Sequence, residues 1–523
     1  MKRTVFALMT GLTLSGMFAV TSCQKEAGND MQFRASMEAC TSTDGKTVLS
    51  GSALNWVSGD QVAIYGTAGR AVFSATPIDP ANTALLNYEE GVTGNAPYRA
   101  FYPTTITTDG VNVTLPAVQN TADGSLTEFP MYAQSTDENL TFKNLCGVLK
   151  LHLQKSDVSI SNITLTANTQ INGQFRLTFA GVPTLDYQNG GSNATILMCS
   201  EPQSIANGKD FYIYLPHGSY TSLSIEMEDA EGNVCTKTTK SNVTVYITRS
   251  QYTEINFGEN DLTFVQRYPQ GVLPGLFSVS EQQQVHFSQG FLQYNTATDV
   301  WRFANSQYDF LLKDVNYAFV QFNGWMDMFG WGTGNDPSRI GTEEGATFVD
   351  WGVNAISNGG NQPNMWRTFS KEEWTYLTTG RPNASAKVAV GTVMGYAGLI
   401  LLPDNWTLPA GCSFTPGFTT GEYVPFASMN EYTFAEWRQM EAAGAVFIPV
   451  AGMVADSGPT GVIYLRSELV GGRLWNSSLA DEEDIQAGVL DVRGCCCFFA
   501  SNEVETNPGI RNMNIPVRLV KNN

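Results

Sequence analysis

Three histidines in 523 residues, nine cysteines with no CxxC or HExxH spacing, and charged residues at only 15% leave little of the usual material for catalysis or metal binding. His152, His217 and His286 lie far apart in the chain, so a conventional zinc site has few ligands to draw on. Positive charge is scarcer still, with 30 Lys and Arg against 49 Asp and Glu and a formal net charge of −19. Counterion release from phosphates requires clustered basic side chains, so no nucleic-acid partner is expected and anionic glycans are disfavoured. After the N-terminal segment the longest apolar run, Val388 to Leu402, is broken by Gly391, Gly395 and Gly398 and closed by Pro403. It falls short of the roughly 18 apolar residues of a membrane span and reads as a hairpin. Gly330-Trp331-Gly332-Thr333-Gly334 lacks the following helix of a phosphate cradle, and Gly45-Lys46-Thr47 has Cys40 where a P-loop needs glycine. Asp481-Glu482-Glu483-Asp484 lacks calcium-loop spacing and reads as a solvated turn. No metal and no cofactor are expected.

What is present begins at the N-terminus. Lys2 and Arg3 precede an apolar stretch from Val5 to Val20 and then Thr21-Ser22-Cys23. A positive end, a short apolar core and small residues at the cut make a secretory signal. Val20-Thr21-Ser22-Cys23 resembles the bacterial lipobox, which implies that Cys23 is acylated and becomes the first mature residue. Buried lipid contributes about 0.8 kcal/mol per methylene, so a multiply acylated cysteine is a lasting membrane anchor. The alternatives are an ordinary secretory signal and an uncleaved anchor. On the lipoprotein reading residues 1–22 are the signal and 23–35 a polar tether. The rest is then an outer-membrane ectodomain at the cell surface, with a net charge of −21 once Lys2 and Arg3 are removed. Cys40, Cys146, Cys199, Cys235, Cys412, Cys495, Cys496 and Cys497 remain. An even number in an exported protein permits disulfides, but this spacing sets no framework, and isolated cysteines in apolar strands behave as small hydrophobes.

A chain of this length exceeds one core and predicts about two to four domains. From Cys40 to Phe257 apolar and polar residues alternate in short runs between Gly, Asn, Asp and Pro. In Val148 to Gln154 the leucines at 149, 151 and 153 face one way, and Lys150, His152 and Gln154 the other. Leu223 to Glu228 and Val243 to Thr248 repeat the pattern, so an antiparallel sandwich is expected. After Phe257 tryptophan and glycine become dense, and a boundary falls near residue 265. Ser370 with Glu373, and Thr433 with Glu436, are capping boxes. The first predicts a helix with Trp374 and Leu377 on one face, stopped by Gly380. The second predicts one with Trp437 and Met440 inward, stopped by Gly444. Strands are predicted at Gln284 to Phe287, Val300 to Phe303, Ala445 to Pro449, Val462 to Leu465 and Val517 to Val520.

Several segments of the first half resemble fimbrillin-type surface lipoproteins of the Bacteroides group. They are Lys46-Thr47 followed by Leu54-Asn55-Trp56-Val57-Ser58-Gly59-Asp60-Gln61-Val62-Ala63-Ile64-Tyr65, then Tyr98-Arg99-Ala100-Phe101-Tyr102-Pro103, Leu115-Pro116-Ala117-Val118-Gln119, Pro130-Met131-Tyr132-Ala133 and Phe142-Lys143-Asn144-Leu145-Cys146-Gly147. The resemblance implies two transthyretin-like antiparallel β-sandwich lobes in series, over 36–155 and 156–258. Trp56 should then plug a core while Gly59-Asp60 turns the chain. Family members that polymerise are cut after an arginine and exchange a strand; here Arg34 and Arg70 are possible cut points, though neither sits in a processing motif.

Beyond a 259–275 linker, the second half resembles a domain of surface lipoproteins related to the formylglycine-generating enzyme. The matching segments include Val285-His286-Phe287-Ser288-Gln289-Gly290, Trp366-Arg367-Thr368-Phe369-Ser370, Leu401-Leu402-Pro403-Asp404-Asn405-Trp406 and Leu474-Trp475-Asn476-Ser477-Ser478. The resemblance implies an α+β C-type-lectin-like head over 276–523, with its ligand face on loops near the C-terminus. The candidate ligand-binding residues are Trp475, Asn476, Ser478, Asp491, Arg493, Cys495, Cys497, Phe499, Asn502 and Arg511.

Cys495-Cys496-Cys497-Phe498-Phe499 admits three readings. It is a buried strand of small hydrophobes, or the thiolate pair of a copper-dependent oxidase related to the formylglycine-generating enzyme, or part of a retroelement-diversified variable surface. In a strand Cys495 and Cys497 face one way and Cys496 the other. The mainly β chain is expected to be a lipid-anchored adhesin or fimbria-associated protein, not an enzyme. Its expected partners are the membrane, an extracellular glycan or protein, and other fimbrial subunits.

Overall fold

The computed structural model describes residues 31–42, 55–107, 109–313, 317–319, 324–337, 347–420, 424–456, 462–466, 471–479, 492–510 and 513–523. Strands dominate it. In Gln32–Met37 the side chains of Phe33, Ala35 and Met37 turn inward, the two-residue period of a strand. This strand pairs antiparallel with Thr83–Gly91 and parallel with Asn139–Asn144. It thereby closes a seven-stranded barrel that continues through Met131–Ser135, Tyr98–Tyr102, Gln61–Tyr65 and Arg70–Ile78. The expected first sandwich is therefore a barrel, because its first strand joins the two ends and leaves no open edge. Trp56 does plug this core, its ring centroid 5.5 Å from Tyr102 and 5.4 Å from Phe142. Gly59, with φ of 93°, makes the turn before Gln61–Tyr65, a conformation glycine adopts at no steric cost.

The second body is a sandwich. One sheet orders Lys209–Leu215, Gly147–Leu153, Gln251–Phe257 and Thr41–Ser42. The other orders Val265–Gln266, Asn233–Thr238, Leu223–Asp229, Ser159–Ala167, Ala194–Ser204 and Val118–Thr121. Leu149, Leu151 and Leu153 meet Ile163, Leu165, Ile225 and Met227 in one apolar cluster between the sheets. His152 lies on the outer face, 2.7 Å from Asp210.

The expected division at 155/156 falls one strand late. Gly147–Leu153 already lies within the sandwich, and Thr41–Ser42, Asn112–Leu115 and Val118–Thr121 pair with strands that follow it. The cause is a shared interior, where Tyr65 and Phe101 of the barrel pack with Val148, Phe175 and Tyr214. The 259–275 stretch is likewise no free linker. Leu262 belongs to the sandwich core, Val265–Gln266 extends its sheet, and Leu273 joins the core of the last body.

That last body, the head, is closed by its own ends, since Gln284–Phe287 pairs with Val520–Asn522. The apolar run predicted as a hairpin forms Val388–Val393 and Tyr396–Leu401, joined at Met394 (φ 54°) and Gly395 (φ 81°). Both turn residues are left-handed, which suits a two-residue hairpin loop. Both capping boxes are made, at helix α1 (Lys371–Thr375) and helix α2 (Phe434–Ala442). Trp374, Leu377, Trp437 and Met440 are buried beneath them. The strand expected at Val517 to Val520 is interrupted: Met513–Pro516 ends in one sheet, Val520–Asn522 begins in another, and Val517–Leu519 steps between them. The step turns Arg518 into the interior, 1% exposed.

Candidate functional site

The C-terminal strands Gly472–Leu479, Val492–Phe499 and Val504–Ile510 form a three-stranded sheet covered on both faces. Leu474, Cys497 and Phe499 enter one apolar cluster, while Trp475 and Cys496 enter another. A strand pressed between two cores needs small apolar side chains facing both ways, which accounts for consecutive cysteines without invoking chemistry. Trp475 donates its indole N–H to the Phe329 carbonyl at 2.6 Å, and Trp331 donates to the Asn476 carbonyl at 3.0 Å. Cys495 directs its thiol to the Leu479 carbonyl at 3.4 Å.

The sequence-derived candidates are thus divided. Trp475, Asn476, Cys495, Cys497 and Phe499 are buried, and burial removes them from direct contact with a ligand. Ser478 is half-buried and accepts the Lys371 N–H at the start of α1 at 3.0 Å. Asn502 is half-buried on the turn after Val492–Phe499. Arg493 lies on that strand, and its side chain, with Asp491, Arg511 and the lipidation residue Cys23, lies outside the described residues. The Asp481 to Asp484 run lies outside them too.

Among the described residues none of the eight cysteines from Cys40 onward is joined in a disulfide. Burial pushes the Cys496 thiol up to about 12 and raises Cys497 as well. A thiol held this way is a poor nucleophile and a poor metal ligand. Treatment of the folded protein with an aromatic disulfide at pH 8 should label Cys412, the half-buried one of the eight, and leave 495–497 unmodified until denaturant is added. Mass mapping reads the result, and rapid native labelling at 495–497 would restore the thiolate reading.

Asp327 is 2% exposed and accepts the Leu311 N–H at 2.7 Å. Burial raises its carboxyl to about 7, outweighing the Leu311 hydrogen bond, and Asp309 adds to the shift. With the folded value above the unfolded 3.8, the native state holds the proton longer, so stability falls as pH rises between about 4 and 7. Asp327→Asn should therefore raise the melting temperature at pH 8 and leave it nearly unchanged at pH 4.

Sequence reasoning did not find the junction of sandwich and head. Glu228, on Leu223–Asp229, accepts from Arg267 at 3.0 Å, from Asn162 at 3.2 Å and from Arg438 of α2. Arg438 also donates to Glu441 at 3.3 Å. Glu441 accepts from Gln307 at 3.2 Å, whose carbonyl oxygen accepts from the buried Arg518 at 3.3 Å. A chain of polar groups thus runs from the head's interior into the sandwich. Beside it Ile196 and Met198 of the sandwich pack on Phe434 and Ala435 of α2 and on Tyr308.

Next to this contact lies an open cleft of about 750 Å³. The turns around Asn168–Gln170 and Gly190–Asn193 form one wall, and Ala410–Gly411 with the start of α2 forms the other. The two sandwich turns cross in tight contact: a Cβ on Gly191 would lie 1.9 Å from the Asn172 carbonyl oxygen. The only sequence signal was the density of Asn, Thr and Gln around 168–172, which in isolation reads as an ordinary loop.

No family model and no curated protein matches the chain. Among solved structures, a candidate cell adhesion protein from Bacteroides ovatus is similar at 12% identity, covering 45% of this chain and 94% of its own, with a TM-score of 0.30. Another from Bacteroides uniformis has 14% identity, covers 45% and 96%, and has a TM-score of 0.29. A fimbrial protein from Bacteroides ovatus covers 93% of this chain and 98% of its own at 7% identity and a TM-score of 0.22. TM-scores of this size assign no fold, and the architecture stands on the strand pairing described above.

Proposed function

We propose that this chain is a lipid-anchored cell-surface adhesin of the fimbrial kind, in which a barrel-and-sandwich stalk carries a ligand-binding head. One observation carries the reading: the head is fastened to the stalk by the buried Glu228–Arg438–Glu441 chain and by the Ile196–Phe434 cluster. Such a joint fixes the direction of the head and passes load from a bound ligand to the anchor, which a flexible tether does not. On this reading the stalk is the fimbrillin-type, transthyretin-like part and the head the C-type-lectin-like module. The acyl chain on Cys23 holds them at the outer membrane, and the ligand is an extracellular glycan or protein. No catalysis is proposed, and the acidic charge disfavours nucleic acid and anionic glycans.

The test compares cells carrying the natural chain with cells carrying Cys23→Ala, for tritiated palmitate uptake, surface accessibility to protease and attachment to immobilised glycans and matrix proteins. Label and attachment should both be lost in the variant. Equal attachment by the two strains would overturn the reading.

A second reading, a pilus subunit assembled by strand exchange, is favoured by the place of Gln32–Met37. This strand, nearest the chain's start among those described, carries Arg34 and is held from both sides within the barrel, so a cut after Arg34 divides it and frees its first half from a slot that a strand from another subunit would fit. Limited digestion with an arginine-specific protease should then give a ladder of heat-labile oligomers on a gel. A cut chain that stays monomeric would exclude it.

A further inference from the structure

We infer that the cleft between sandwich and head is a binding site for a neutral saccharide. Its volume, about 750 Å³, lies within the range of roughly 300–1,000 Å³ typical of ligand pockets. The chemistry of its lining decides the ligand class. Asn168 is exposed, and its side-chain oxygen accepts the Thr221 and Ser222 N–H groups at 3.0 and 3.3 Å, which orients the amide and leaves its NH2 uncommitted. Thr169 and Gln170 follow, both exposed and, among the described residues, without a side-chain hydrogen-bond partner. Asn193 spends its NH2 on the Ala167 carbonyl at 3.0 Å and keeps its oxygen. On the facing wall Glu436 uses one carboxylate oxygen in the capping box and keeps the other. Gln439 donates to the Ala435 carbonyl at 3.4 Å and keeps its side-chain oxygen.

The sandwich wall thus offers uncommitted donors and acceptors, and the facing wall adds uncommitted acceptors. A sugar hydroxyl donates and accepts at once, so vicinal hydroxyls match this set. None of the lining residues is Lys or Arg, and a carboxylate is present, so anions are not matched. An extended peptide would pair with an open strand edge, whereas most of this lining comes from turns and the start of a helix. The walls are also set in advance. The Asn172 side chain ties the two sandwich turns through Ser192 N–H at 2.8 Å and the Ala194 carbonyl, and the crossing at Gly191 leaves no slack. A preformed cleft lowers the ordering cost of binding. The proposal deepens the adhesin reading, on which it rests only for what the binding serves.

The test probes full-length protein against a printed array of neutral, sialylated and sulfated oligosaccharides and unstructured peptides, followed by calorimetry with the best neutral oligosaccharide. Gln170→Ala and Gln439→Ala are compared with the natural chain, since neither side chain is part of a core. Each should weaken binding roughly three- to tenfold with an unchanged melting temperature, as expected for a lost hydrogen bond. Gly191→Ala, which forces the turns apart, should weaken it further. No neutral oligosaccharide bound at millimolar concentration would overturn the proposal, as would a preference for anionic glycans or peptides, or undiminished binding by both glutamine variants. If saccharide binding falls while whole-cell attachment persists, the cleft assignment holds and attachment uses another surface. Loss of attachment in Cys23→Ala with saccharide binding unaltered in every cleft variant would reject the cleft alone.

Discussion

Glu228→Ala should cost about 3 kcal/mol and split one unfolding transition into two. The carboxylate serves Arg438, Arg267 and Asn162 together, and the two arginine side chains are only 14% and 15% exposed. Removing one member of a buried ion pair leaves its partner charged and desolvated, which costs roughly 3–5 kcal/mol. Two neighbours temper the loss: Glu441 remains 3.3 Å from Arg438, and Glu226 remains 2.8 Å from Arg267. The lower end of the range follows. The loss falls on the contact between two bodies that each keep their own core, so the natural chain should melt with sandwich and head coupled. The variant should release the head first. Calorimetry reads the transitions, and limited proteolysis in 258–275 reads the loosened joint. Glu228→Gln keeps the volume and one acceptor but not the charge, and should fall between the two. A variant that melts in one step at the natural temperature would mean that the apolar contact of Ile196 with Phe434 suffices alone.

The parts legible in the sequence were those set by local physics. Alternation placed the Leu149, Leu151 and Leu153 strand, two capping boxes placed both helices, and a glycine-interrupted run placed the Val388 to Leu401 hairpin. What stayed hidden depends on residues distant in the chain. The parallel pairing of Gln32–Met37 with Asn139–Asn144, which turns a sandwich into a barrel, leaves no mark in either strand's own pattern. Thr41–Ser42 beside Gln251–Phe257 is a case of the same kind, and it blurs the boundary between lobes. The junction was hidden for another reason: Glu228 and Arg438 stand 210 positions apart, and each alone reads as a solvent-facing charge. The candidate ligand residues came from expecting loops near the C-terminus, yet the described part of that region contains a sheet covered on both faces. A buried tryptophan and one offered to a sugar carry the same letter in a sequence. Only the neighbours across space tell them apart.

Trp475→Ala makes that distinction measurable. The ring is 1% exposed and packs with Phe329, Trp331, Trp351 and Cys496, and its N–H satisfies the Phe329 carbonyl. Deleting a buried aromatic of this size removes its transfer energy and leaves a cavity, together about 3–5 kcal/mol. The Phe329 carbonyl also loses its indole donor, at the strand that pairs with Met513–Pro516. The head should therefore unfold at markedly lower denaturant concentration. Cys496→Ala removes one sulfur from the same cluster and should cost about 1 kcal/mol. Because the two side chains share a cluster, their effects should couple, and the double variant should lose less than the sum. Asn502→Ala, at the turn of the same sheet, should leave stability within about 0.5 kcal/mol of the natural chain. The contrast is the argument: a residue that holds the sheet lowers stability and changes binding only through unfolding, whereas one that touches ligand does the reverse. A Trp475→Ala protein as stable as the natural one but unable to attach would return the tryptophan to the ligand face and require this sheet to open.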